Sequence, residues 1–404
     1  MGAMTFGLLS GCLQLQREET RESESEQTPN NVSTNSPSQN STPDNSKIDD
    51  TTTLSPATNW EFEAGAPLTQ PAVGTEHVFV GSFDQTLYAF DIETGEESWR
   101  VGPRNFDSST YELGSPTLIG DSVYVNTDEE VLKINSRTGE ILSSIRDNGY
   151  SDHTVVTPEL VVMPNREGRI TAYNSIGGSV VWESDLKALG KTYNPIVGDD
   201  VIVFANVSDY VDSPDADRDR DTRVVGLSRD TGEKIWRFIP ERFIGKSVGV
   251  GYAIQDDTVA VVDDGGFVFG LSANDGSVQW TQTMGLTANG NIAPQPVGFA
   301  GQFLIASGEI SSIDPQSGDI LWSTSLDAGH ISSRFPVDDE KAWIPNDGGL
   351  EFSGIASIGR QGENIVEYDF SKPFTQIPSV RDKRIYVSHT DDTLRAYNNL
   401  ENLR

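Results

Sequence analysis

The chain has 404 residues, with 61 Asp and Glu against 29 Lys and Arg and a formal charge of −32. So acidic a chain repels phosphate backbones, which excludes nucleic acid as an expected partner. One cysteine excludes a disulfide within the chain, and without a run of about 18 apolar residues no transmembrane helix is expected.

Residues 1–12 end in Leu9-Ser10-Gly11-Cys12, which resembles a lipobox, the cleavage site after which a cysteine is lipidated and becomes the mature N-terminus. The apolar run before it is short and has no basic residue. Two readings follow: a start inside a longer signal peptide, or a chance match beside an ordinary free thiol. The sole cysteine stands directly before a polar stretch, which favours Cys12 as a lipid attachment site and an extracytoplasmic protein anchored to the cell membrane. Residues 13–57 are Ser, Thr, Asn, Gln, Glu and Pro with almost no large apolar side chain. Such a segment buries too little surface to offset its ordering entropy, so a disordered tether is expected. Asn31 and Asn40 head glycosylation sequons here, and Asn206 heads a third further on.

Beyond the tether, Leu87 to Trp99 reads as a strand, a tight turn at Gly95 and a second strand with Trp99 four residues after the glycine. The turn recurs at Gly139, Gly178, Gly232, Gly276, Gly318 and Gly362, at spacings of 44, 39, 54, 44, 42 and 44 residues. The position four residues on is Trp182, Trp236, Trp280 and Trp322 in four units, and Ser143 and Val366 in the other two. Such a period marks a propeller or solenoid and overrides the two or three domains that length alone suggests. Glycine reaches positive φ at a hairpin corner without strain, and the small polar residue before it bonds back to the backbone. A Trp at a fixed offset buries a large face and brings an N–H that seeks an acceptor, a wedge between neighbouring sheets.

Two further strands precede each turn, Leu68 to Val73 and His77 to Gly81 in the first unit. Prolines recur near the start of the first strand, where a missing donor is tolerable. Four strands make one propeller blade. The last unit stops at Arg404, two residues before its Trp is due, while Trp60 stands ahead of the first unit with no strand expected before it. Trp60 therefore completes the last blade. The expectation is an all-β, eight-bladed β-propeller over residues 58–404, with four-stranded antiparallel blades and a ring closed by an N-terminal strand, leaving no free edge.

The pattern Ala-x-Asp-x-x-Thr-Gly-x-x-x-Trp, complete at Ala89 to Trp99, resembles the tryptophan-docking motif of pyrroloquinoline quinone (PQQ)-type propeller repeats. That group, the quinoprotein-type β-propeller family, includes dehydrogenases and also non-enzymatic relatives such as the propeller lipoprotein of the outer-membrane β-barrel assembly machinery. The resemblance implies the fold but not the activity. In the dehydrogenases adjacent cysteines, a calcium ion and acidic and amide ligands hold the quinone; with one cysteine this chain cannot supply the pair. The expected function is a non-catalytic protein- or ligand-binding scaffold acting through loops at the funnel face, as a monomer. The alternative is a PQQ-dependent alcohol or sugar dehydrogenase, or a small-ligand binder.

The long spacing before Gly232 holds an insertion in which Asp215, Asp217, Asp219 and Asp221 alternate like calcium ligands. Arg220 stands where a calcium loop needs glycine, and Gly226 where it needs a closing Glu; a solvated hairpin tip is the plainer reading. Gly245 to Gly249 matches a nucleophile elbow, but without the α/β sheet that elbow requires. His77, His153, His330 and His389 lie in different repeats without metal-ligand spacing. Acids spread over every blade suit molar salt, where screening to about 3 Å removes self-repulsion; the expectation is an extreme halophile, an archaeon.

Overall fold

The computed structural model describes residues 52–102, 113–127, 130–146, 154–165, 169–185, 191–207, 222–239, 251–263, 266–284, 294–330, 334–347, 352–374 and 376–398. These residues form 31 strands and no helix. Two strands come before the first complete blade, β1 (Thr52–Leu54) and β2 (Thr58–Glu63). Blade one is β3 (Ala72–Val73), β4 (His77–Ser82), β5 (Thr86–Asp91) and β6 (Glu97–Val101); blade two is β7 (Thr117–Ile119), β8 (Ser122–Asn126), β9 (Glu130–Asn135) and β10 (Ile141–Arg146). Blade three is β11 (Val155–Val156), β12 (Leu160–Pro164), β13 (Arg169–Asn174) and β14 (Val180–Asp185); blade four is β15 (Lys191–Val197), β16 (Val201–Val207), β17 (Thr222–Ser228) and β18 (Lys234–Phe238). Blade five is β19 (Gly251–Gln255), β20 (Thr258–Val262), β21 (Phe267–Ser272) and β22 (Val278–Thr283); blade six is β23 (Val297–Phe299), β24 (Gln302–Ile313) and β25 (Ile320–His330). Blade seven contributes β26 (Lys341–Asp347), β27 (Phe352–Gly359) and β28 (Val366–Phe374), and blade eight β29 (Ser379–Arg381), β30 (Arg384–Ser388) and β31 (Thr393–Tyr397).

The blades form an eight-bladed propeller closed by β2, which joins blade eight as its outer strand in the order β2-β31-β30-β29. Trp60 pairs with Ala396 and Glu63 with Thr393. Blade six reaches four strands by folding β24 on itself: its first half pairs with β23 and its second half with β25. The Gln302 and Ser312 side chains, ten residues apart in β24, hydrogen-bond to each other; an extended run of that length spans about 33 Å. In blade seven the first strand shrinks to a bridge between Val337 and Ala342.

The core is divided among the seams. Eight clusters of buried apolar side chains each join two neighbouring blades. The middle strands therefore read as unbroken apolar runs, such as Val259, Ala260, Val261 and Val262 in β20, all buried, because both faces of each sheet are covered.

Two expectations change at the N-terminal side. The strand expected over Leu68–Val73 is a bridge at Leu68 followed by the short β3, because Pro71 has no N–H to continue the ladder. The tether expected up to residue 57 also yields its last part to the ring, since β1 lies parallel to β28 with Thr52 opposite Val366 and Leu54 opposite Tyr368. Val366 stands where other blades carry a wedging Trp, and Leu54 packs against the cluster joining blades seven and eight. A seam short of one indole is thus filled by a side chain from outside the repeats.

Candidate functional site: the two faces of the ring

The hairpin corners lie on one face and set the rigidity of the whole. At the first corner the Asp91 carboxylate accepts from the backbone N–H groups of Glu93 at 3.0 Å and Thr94 at 2.8 Å, and Thr94 Oγ1 accepts from Glu96 N–H at 3.2 Å. Asn135, Asn174 and Asp314 cap their own corners with the same side-chain oxygen. Those bonds favour the ionised carboxylate, and Asp91 and Asp314 are both held below their ordinary pKa chiefly by backbone donors, Thr94 and Ser317.

Each indole then reaches the corner of the next blade. Nε1 of Trp60, Trp99, Trp182, Trp236 and Trp280 donates to the carbonyl three residues before the next corner glycine, at Ile92, Ser136, Arg229, Ala273 and Pro315, over 2.7–3.1 Å. Trp322 donates to Arg360 O at 3.1 Å. The rings lie on the glycines themselves: a Cβ at Gly95, Gly139, Gly232, Gly276, Gly318 or Gly362 would come within 2.3–2.8 Å of the indole, and all six have φ between +69° and +81°. Positive φ and ring contact make the same demand for glycine.

The seam between blades two and three departs from this scheme. Ser143 replaces the Trp, and the equivalent acceptor, Ser175 O, takes the Tyr124 hydroxyl at 3.0 Å and Lys133 Nζ at 3.2 Å instead. Gly178 has φ +67°, but a Cβ there would meet only Ile145 at 3.4 Å.

The opposite face carries the loops between second and third strands and the connections from blade to blade. Its closing sector lies among the described residues. Around blade eight, Asp391 accepts from Lys372 Nζ at 2.5 Å, Thr393 Oγ1 at 2.5 Å and Arg395 Nη2 at 2.9 Å, while Arg395 Nε donates to Glu61 at 3.0 Å. These cations hold Asp391 well below the usual carboxylate range although burial opposes them. Burial also works against Arg395, yet Asp391 and Glu61 raise its pKa. Beneath lies His389, buried among Phe370, Phe374 and Tyr397. Its Nδ1 faces the Lys372 and Pro373 carbonyls at 3.0 and 3.1 Å, so that nitrogen carries the hydrogen, and Nε2 accepts from Tyr397 OH at 2.7 Å. Desolvation, aided by Arg395, pushes His389 down to about 4. The set is mutually satisfied and clamps β2 and β28 to blade eight. No spacing in the sequence reveals it, because Glu61 and Arg395 are 334 residues apart. Beside it Phe83, at the equivalent turn of blade one, stands 43% exposed.

The remaining candidates divide simply. His77 opens β4 with its ring 6.0 Å from that of Phe79, and Asn206 lies in β16. His330 ends β25. Cys12, Asn31, Asn40, His153, the Gly245 to Gly249 motif and Asp215, Asp217, Asp219 and Asp221 lie outside the described residues. Among the described residues no three His, Cys, Asp or Glu side chains converge as metal ligands. With one cysteine, the chain cannot supply the adjacent pair of the dehydrogenases.

Comparisons with known proteins agree with this geometry. The crystal structure of BamB from Moraxella catarrhalis is similar to the chain with a TM-score of 0.57 at 13% identity, covering 85% of this chain and 99% of that one. The computationally designed Ika8 protein is similar with a TM-score of 0.63 at 13% identity, over 83% of this chain and 97% of its own. Sqt1 from Saccharomyces cerevisiae gives 0.64 at 10% identity, over 86% and 100%. No curated protein matches the sequence. A family model described as outer membrane protein assembly factor BamB matches residues 51–211, 220–298 and 306–402. The chain therefore belongs to that family of PQQ-like β-propellers.

Proposed function

We propose that this propeller is a non-catalytic scaffold, held outside the cytoplasm by lipid on Cys12, that docks a protein partner on its loop face. The observation that carries this reading is a rigid, closed ring that leaves Phe83 open on its loop face. Indole contacts bind the blades to one another at the corner face, where Ile176 is also open, and the loop face shows Phe83 in the open beside a rigid clamp. Rigid sheets with variable loops suit recognition, and the family description names an assembly factor. The polar stretch after Cys12 gives the ring reach from the membrane.

The test uses the full chain in its own cells. A photo-crosslinking residue at position 83 is expected to trap a membrane-fraction protein that one at Asn274, on a corner, does not trap. Cys12→Ser is expected to release the propeller from the membrane. Trapping only from position 274, or membrane retention of Cys12→Ser, contradicts the reading. Dye-linked alcohol or sugar oxidation by purified protein given quinone and calcium reinstates the dehydrogenase alternative.

A further inference from the structure

The first strands of the blades touch one another around the axis, β29 with β3, β3 with β7, β11 with β15 and β19 with β23. Arg334 enters the shortened first strand of blade seven from the loop-face side, just before Phe335. Its guanidinium carbon lies 6.0 Å from the centre of the Tyr252 ring in β19 of blade five. Blades five and seven are not neighbours, so this side chain crosses the axial side of blade six at the neck of the channel. The wall it crosses is tight: a Cβ on Gly251 would stand 1.8 Å from the Pro294 carbonyl oxygen. Tyr252 is buried, while Arg334 is exposed.

Arg334 is thus a cation in a chain of charge −32, and among the described residues no carboxylate pairs with it. Other arginines of this chain do find acids, as Arg384 finds Glu93 at 2.7 Å and Arg229 finds Glu159 at 2.8 Å. Protein packed around the guanidinium lowers the Arg334 pKa by desolvation, although the side chain still reaches solvent. The guanidinium carbon stands over the Tyr252 ring as in a cation–π contact, and among the described residues no acceptor is shown for its N–H groups.

We propose that the neck of the channel is a carboxylate-binding site, with Arg334 as the bidentate donor and Tyr252 as its platform. A carboxylate matches the two parallel N–H groups and carries one charge. Phosphate would bring up to two charges into the field of an acidic chain. The site is independent of any partner on the outer loops.

Two sources of the carboxylate are distinguishable by titrating the full-length protein calorimetrically with acetate, with the N-acetylated tripeptide Gly-Gly-Ala as free acid, and with its C-terminal amide. Saturable binding of the acids and none of the amide is expected. Equal affinity for acetate and tripeptide assigns a free small carboxylate; preference for the tripeptide assigns a chain terminus. Arg334→Gln is expected to abolish binding and Arg334→Lys to weaken it about tenfold by losing the paired donors, with circular dichroism unchanged in both. Binding of the amide equal to the acid, unaltered binding by Arg334→Gln, or no saturable binding of any acid overturns the proposal.

Discussion

Trp60 Nε1 donates to the carbonyl of Ile92 at 3.1 Å, across the seam between blade eight, which β2 completes, and blade one. The indole fills the seam and also satisfies a buried acceptor. Trp60→Phe keeps most of the filling and orphans the carbonyl, at a cost of about 1–3 kcal/mol. Trp60→Ala adds a cavity and costs about 3–5 kcal/mol. Guanidinium unfolding of both variants checks the order; an unchanged midpoint in Trp60→Ala contradicts it.

The Ser175 carbonyl, like the Arg360 carbonyl at the seam of blades six and seven, has two side-chain donors. Tyr124→Phe or Lys133→Met alone leaves it with a partner and is expected to cost at most about 1 kcal/mol, whereas the double variant leaves it bare and costs more than the sum. A double-mutant cycle measures the excess. Strict additivity shows that the two donors do not share the acceptor.

Gly232 and Gly178 have nearly the same backbone, φ +69° and +67°, but different surroundings. Alanine at either meets the left-handed penalty of about 1–2 kcal/mol. Only at Gly232 does the new Cβ fall 2.3 Å from the Trp182 ring, which adds about 1–3 kcal/mol of overpacking. Equal melting losses for the two variants contradict the account of the indole resting on the corner.

His389 has its folded pKa depressed to about 4 from the ordinary histidine value of 6.5. The folded state thus favours neutral imidazole. Its contribution is complete above pH 6.5, declines as pH falls toward 4 and is gone below, for a total on the order of 3 kcal/mol. Asp391, also depressed, begins to lose its contribution only as pH falls through the ordinary aspartate value of 3.8. His389→Gln is therefore expected to flatten the stability profile between pH 6.5 and 4 relative to the parent while leaving the steeper acid limb. Parallel profiles throughout that window refute the neutral buried imidazole.

The corners were legible because a turn of this kind tolerates little but glycine, and because Trp is rare enough that its recurrence four residues on is a pattern. Closure by β2 was legible by subtraction, one outer strand being due at the end and one Trp standing unclaimed at the start. β1 was not, because Thr52, Thr53 and Leu54 carry one large apolar side chain among polar neighbours, and the gap they fill arises from Val366, more than 300 residues away. The clamp around Asp391 and His389 was illegible for the same reason. Its members come from the outer strands of blades seven and eight and the last inner hairpin, which sequence distance separates and ring closure brings together.

Closure is the claim on which both faces depend, and an engineered disulfide tests it most directly. In a Cys12→Ser background, Glu63→Cys and Thr393→Cys place two thiols on directly paired residues of β2 and β31. The account predicts rapid, intramolecular oxidation in the native protein and a higher unfolding midpoint that reduction reverses. Thiols that stay free under oxidising conditions, or that link only separate chains, contradict it.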